Sequence, residues 1–231
     1  MLRGQDDNSA SRKPASLDRA TALFRQLLNE DWPLAPEHRE DLRKSGLSDA
    51  TIRRHRMFSV WRRKSKALLG FALPGFDSGM VIPFPDLAGG FMDHIRIKIF
   101  PPVTDAAGHS IKYLQPRNSP PRLYFPIDTS LTILGGLEPL WLVEGEKKAL
   151  AVAQLRLPSI GFCGIEGWHT AGSRDLSPDF HRIRLHRRRV ELVPDGDWQT
   201  NPHVERGAMR LAKALEAHGG LVRLVVLPAE L

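Results

Sequence analysis

Three acids stand where apolar runs stop. In "LWLVEGEKKAL", Leu140 to Leu150, a continuous apolar run ends at Glu144, and Gly145, Glu146 and two lysines follow as a helical pattern begins. In "VELVPDGDW" a second run ends at Asp195 and Asp197. A carboxylate at the end of a core strand is costly unless it is partnered, and three that meet raise one another's pKa. A hard divalent cation removes that penalty, and oxygen-only donors favour Mg2+ (or Mn2+) over zinc. Asp195 and Asp197 are two positions apart, which turns both to one side of an extended backbone. Gly196 between them lets the chain turn and a phosphate come close. The chemistry this implies is metal-assisted work on phosphate. Each motif also has a plainer reading: a Glu beginning a helix favours the dipole, and Asp-Gly-Asp is a common turn. Their joint position at matching strand ends is what points to a metal.

The elements that must position these acids follow from periodicity. Leu140–Val143, "SIGFCG", Val190–Val193 and "LVRLVVLP" read as four short strands. Between them lie the helical "EKKALAVAQLRL" and a helix carrying Val204, Ala208, Leu211 and Leu215 on one face. Asn201-Pro202 opens that helix and Gly219-Gly220 closes it. Strands alternating with helices predict an α/β fold with a parallel four-stranded sheet and flanking helices, whose function collects at the carboxyl ends of the strands.

Upstream, from about Gly70, the pattern is of short strands. "GMVIPFPDLAGG" reads as a strand, a proline-rich edge and a turn. In "IRIKIF", Ile95, Ile97 and Ile99 face one way, Arg96 and Lys98 the other. "PPVTDAAGHS" reads as a loop and "IKYLQPRNSPPRLYFP" as an extended, proline-broken stretch. Earlier still, Ala20, Leu23, Phe24, Leu27 and Leu28 recur at helical spacing after Ser16, a candidate N-cap, and "LAPEHREDLRKSGLSDATIRRHRMFSVW" reads as two short helices with Pro36 in a first turn and Ser48 as a cap. The expected organisation is a polar, disordered tail over 1–15, a helical lead-in and α+β region over 16–130, and an α/β domain over 137–231.

"LVEGEKKA" and "LVPDGDW" resemble the glutamate and Asp-x-Asp motifs of a TOPRIM domain, the Rossmann-like fold shared by bacterial-type primases, topoisomerases and some nucleases. "MVIPFPDLAGG", "RIKIF" and "IKYLQP" resemble, in order, the primase core segments that precede it. "LAPEHREDLRKSGLSDATIRRHRMFSV" is similar to the lead-in of a primase-like family of unknown function common on phages, plasmids and integrated elements. The likeness covers the chain from about Leu34 onward and lies in the order of short motifs. It implies a nucleotidyltransferase that joins nucleotides on single-stranded DNA in mobile-element replication, taking nucleoside triphosphates with Mg2+. Glu144 would be the metal-linked acid and a candidate base for the attacking 3′-hydroxyl, Asp195 and Asp197 would hold the ion, and Lys112 would contact template or nucleotide.

The net charge of +7 fits a polyanionic partner such as nucleic acid, or a generic basic surface. Arg96 and Lys98 are either a solvated sheet face or a cationic wall for a template backbone. Lys112, Arg117 and Arg122, among Tyr113 and Tyr124, could supply phosphate contacts and base stacking. "RRHRMFSVWRRKSK", with Arg53, Arg54 and Arg56, is the densest basic region, and "HRIRLHRRR" the next. Lys147 and Lys148 fall in the first helical turn after Glu144, where they either bind triphosphate or balance the carboxylates. One cysteine, Cys163, excludes an internal disulfide and any zinc site of several thiolates. No apolar run approaches the roughly 20 residues that span a bilayer, so no membrane role and a cytoplasmic location are expected.

Two departures qualify the likeness. One cysteine cannot build the zinc ribbon of standard primases, and Glu230 is the only acid after the fourth strand. A compact primase subunit working with a separate replicative helicase and a truncated relic both fit. Two rivals use the same residues: a TOPRIM-type phosphodiester hydrolase, and a non-catalytic nucleic-acid-binding replication adaptor.

Overall fold

The computed structural model describes residues 15–227, apart from 130–132, 134, 171, 174 and 197. Asp197, Glu230 and the tail before Ala15 therefore lie outside the described residues. Helix α1 spans Ala15–Asn29, so Ser16 sits inside its first turn rather than at the cap. Helix α2 is Pro36–Lys44, with its proline at the first position, where no backbone N–H is needed. Helix α3 is Asp49–Arg54, capped by the Ser48 hydroxyl, which accepts the Thr51 N–H at 3.2 Å. Helix α4, Arg62–Leu69, stops at Gly70, whose φ of 76° ends it in the left-handed region.

The first sheet is antiparallel, in the order β1 (Phe58–Trp61), β2 (Ser78–Pro85), β3 (Phe91–Thr104), β4 (Ser110–Leu114). The proline-rich strand is not an edge throughout. β1 pairs with Ser78–Val81 only, and Pro83 and Pro85 lie beyond it, where β3 is the sole neighbour and the register slips. β2 is buried along its whole length because both faces are covered. Val81, with Ile95, Ile97 and Ile99 of β3, packs under α1 and α4. Met80, Ile82 and Phe84 turn the other way, into the core shared with the second sheet. The register pairs Met80 with Lys98 and Ile82 with Arg96. The two cations therefore face the second sheet. The densest basic stretch is likewise broken by core: Phe58 and Val60 of β1 lie within it and are buried.

The second sheet is the expected parallel one, in the order β6 (Ser159–Phe162), β5 (Leu140–Glu144), β7 (Arg189–Val193), β8 (Leu221–Leu224). Helix α5 (Glu146–Gln154) follows β5, and helix α6 (Pro202–Ala217) precedes β8. Asn201 caps α6, its side chain accepting the His203 N–H at 3.2 Å. The outer edge of β6 is joined by Tyr124, which exchanges backbone hydrogen bonds of 2.8 and 2.9 Å with Gly161. Tyr124 is fully buried, so it cannot stack on a base as the sequence had allowed. Among the described residues no helix is long and apolar enough to cross a membrane.

Candidate active site

Glu144 is the last residue of β5, one of the two inner strands of the parallel sheet, and the chain must turn at once into α5. Gly145 makes that turn with φ 99° and ψ 148°, a backbone that side-chain-bearing residues rarely adopt. Its N–H is tied to the Phe162 carbonyl at 2.9 Å. β7 runs parallel alongside, with Val143 beside Val193, so Asp195 emerges at the same carboxyl edge. There the Asp195 N–H donates to Glu144 Oε2 at 3.2 Å. Asp195 lies past the strand, in a turn closed by the Trp198 N–H on its carbonyl at 3.0 Å. The two-residue alternation of strands thus does not extend to it. Gly196 has no left-handed backbone, and a Cβ there would meet nothing within 4 Å, so neither the turn nor packing demands glycine.

The opposite wall comes from β3 and β4, and Arg96 and Lys98 on it are matched by acids of α5 and α2. Arg96 reaches Glu146, the first residue of α5, with Nη1 2.7 Å from Oε1, and the Arg96 guanidinium sits 4.6 Å from the Tyr113 ring centroid. Burial is the largest influence on Arg96 and opposes its charge, yet the Glu146 charge and hydrogen bond, with Cys163 and Tyr113 beside it, together hold the pKa above its ordinary value. Burial and the Glu146 charge both push the Tyr113 hydroxyl up, so it stays protonated. Asp41 of α2 accepts from Lys98 of β3 at one oxygen and from Lys147 of α5, 3.2 Å away, at the other. Burial alone would raise the Asp41 pKa, but the two lysines hold it below the usual carboxylate range. Lys148 pairs with Asp195. Exposed Lys112 and these groups other than Asp41, which backs Lys98 and Lys147, border an open cleft of about 410 Å³.

The structure therefore brings Glu144, Asp195, Lys112, Lys147, Lys148, Arg96 and Lys98 to one cleft. The remaining basic candidates lie apart. Arg53 and Arg54 line another hollow with Gln154 and Arg156, at the far end of α5. Arg54 is 3.1 Å from Asp128, and Arg56 donates to the Leu28 carbonyl at 2.6 Å. Arg117 rests over the Phe71 ring at 6.0 Å, and Arg122 grips Asp179 through two hydrogen bonds of 2.7 and 2.8 Å. In the second basic stretch, Arg188 is buried and donates to the Glu138 and Ile133 carbonyls, each at 2.8 Å. Among the described residues no group of three potential metal ligands is present, and Asp197 is not among those residues.

Two residues at the site escaped the sequence reading: Asp41, which pairs with Lys98 and Lys147 of the cleft, and Glu146 as the partner of Arg96. The signal for Asp41 was its place on α2. It is three residues after buried His38, so the two share a helix face.

Residues 137–231 match a family model described as a domain of unknown function, DUF3854. No curated protein matches. Solved structures that it resembles include primases. With the zinc-binding and RNA polymerase domains of the Aquifex aeolicus primase it shares a TM-score of 0.62 at 18% identity, over 94% of this chain and 55% of that one. The chain thus spans little more than half of that structure. With a DnaG primase catalytic domain bound to single-stranded DNA the TM-score is 0.55 at 17% identity, over 94% of this chain and 74% of that one. With the RNA polymerase domain of Mycobacterium tuberculosis primase DnaG in complex with double-stranded DNA it is 0.55 at 14% identity, over 95% and 75%. The chain has the fold of a primase catalytic core.

Proposed function

We propose that the protein is a primase-like nucleotidyltransferase that joins nucleotides on a single-stranded DNA template with a divalent ion. The observation that carries this reading is the cleft. It sets Glu144 and Asp195 against Lys98, Lys112, Lys147 and Lys148 at the carboxyl edge of a parallel sheet. A fold shared with primases, one of them bound to single-stranded DNA, supports it.

The donor chemistry suits a hard ion. Glu144 and Asp195 offer oxygen only, at neighbouring strand ends, and Asp195 already draws an ammonium group. Asp197, two residues on, would add a third carboxylate. Bound there, Mg2+ or Mn2+ would neutralise charge developing on the phosphoryl group. The chain's own residues do the rest. Lys112, Lys147 and Lys148 would hold phosphate oxygens as point charges, and Glu144 would accept the proton of an attacking hydroxyl. Arg96 and Tyr113 fix the wall on which the nucleotide rests. The reading extends to replication of a phage, plasmid or other mobile element beside a separate helicase, which an adjacent helicase or integrase gene would support.

The test is primer synthesis on single-stranded DNA with nucleoside triphosphates and Mg2+. Product is expected from the natural chain, and a loss of about 10²-fold or more for Asp195→Asn, as for removal of other preorganised charges. Thermal unfolding checks that the variant folds. Breakdown of labelled DNA without incorporation selects the phosphodiester hydrolase. DNA binding that ignores both chelator and Asp195→Asn, without product, selects the non-catalytic adaptor.

A further inference from the structure

The ion pairs of the cleft are held with unequal firmness. Arg96 and Glu146 are sealed, their side chains 15% and 3% exposed. Lys98 and Lys147 with Asp41 are mostly enclosed. Lys148 and Asp195 keep 45% and 48% of their side-chain exposure, so water competes for both partners and their pairing is weak. Yet Asp195 is the acid that meets Glu144, its N–H on the Glu144 carboxylate. An exchangeable ammonium thus sits on the oxygen that a divalent ion needs. Lys148 is also in the first turn of α5, where the helix end favours anions.

We propose that Lys148 is a built-in, displaceable counter-ion. It balances Asp195 when no ion is bound and turns to phosphate oxygens when the ion takes its place. The exchange keeps every charge paired: ammonium on carboxylate becomes metal on carboxylate and ammonium on phosphate. Metal and polyphosphate must then strengthen each other's binding by the same factor. This rests on the metal and triphosphate reading above and adds how the two ligands are coupled.

The experiment titrates Mn2+ by the loss of its free-ion EPR signal, using the full chain, Lys148→Gln, Lys148→Arg and Asp195→Asn. Each is measured with and without sulfate at matched ionic strength, since sulfate binds lysine as a phosphate would but hardly chelates the ion. Lys148→Gln is expected to bind Mn2+ about two- to fivefold tighter than the natural chain, the factor matching an exposed pair. Lys148→Arg stays near the natural chain. Sulfate tightens Mn2+ binding by both of these cationic forms and leaves Lys148→Gln unchanged. Equal or weaker binding by Lys148→Gln, or no sulfate effect on the natural chain, overturns the proposal. Failure of the natural chain to bind Mn2+ better than Asp195→Asn overturns it together with the metal reading. The expected shifts without primer product overturn only the proposed reaction.

Discussion

Arg96 and Glu146 illustrate how a buried pair differs from a surface one. With Glu146 3% exposed, removing its partner leaves a carboxylate that water cannot reach. Breaking such a pair typically costs about 3–5 kcal/mol, while replacing both members with apolar groups of similar size is often neutral. Arg96→Met should therefore lower the unfolding free energy, measured in urea, by roughly 3 kcal/mol, and Arg96→Met with Glu146→Met should recover most of it. A single variant within a few tenths of a kcal/mol of the natural chain would refute the assignment. Glu144 and Asp195 were legible in sequence because each ends a visible apolar run. The partner of Arg96 was not, since it lies 50 positions away, on the helix that follows β5 of the other sheet. Asp41 was hidden for a similar reason: helical spacing puts it on the face of His38, but the two lysines it reaches belong to other elements.

The elements themselves were more readable, because alternation and helical spacing record which face is buried. The strict pattern of "IRIKIF" showed the two faces of β3, but not that the charged face would meet a second sheet. That depends on β2 being covered on both sides, which is decided by tertiary packing. The turn from β5 into α5 is tight for a reason the motif does not reveal. A Cβ on Gly161 of β6 would lie 3.0 Å from the Gly145 carbonyl oxygen and 3.2 Å from the Cβ atoms of Ala149 and Tyr124. Backbone on one side and a buried tyrosine on the other cannot easily yield. Gly161→Ala should cost about 1–3 kcal/mol through overpacking, lowering the melting temperature by about 2–4 °C for each kcal/mol. It should also reduce primer synthesis, since the segment it pushes carries Glu144. A melting curve that superimposes on that of the natural chain would show the contact to be slack.

For the molecule as a whole, the buried histidines set a lower limit on pH. Burial, with the nearby Arg122 charge, pulls the His94 pKa down to about 4, and burial also lowers His38 and His55. All three are neutral in the fold at pH 7. As pH falls through about 6.5 the unfolded chain takes up protons that the fold refuses. Stability is therefore unaffected by these groups above pH 7 and declines from about 6.5 toward 4, by an amount on the order of 3 kcal/mol for His94 alone. Urea unfolding at pH 7.5, 6.0 and 5.0 measures it, and a flat profile would contradict the burial of these rings.

The backbone exchange between Tyr124 and Gly161 has a consequence for growth of the parallel sheet. With β6 already matched to the chain's own connecting segment, that margin has fewer unclaimed donors and acceptors to offer a passing polypeptide. Recruitment of a fifth strand, whether from another copy or from a companion subunit, is thereby biased toward β8, where Leu221 and Arg223 already stand in solvent.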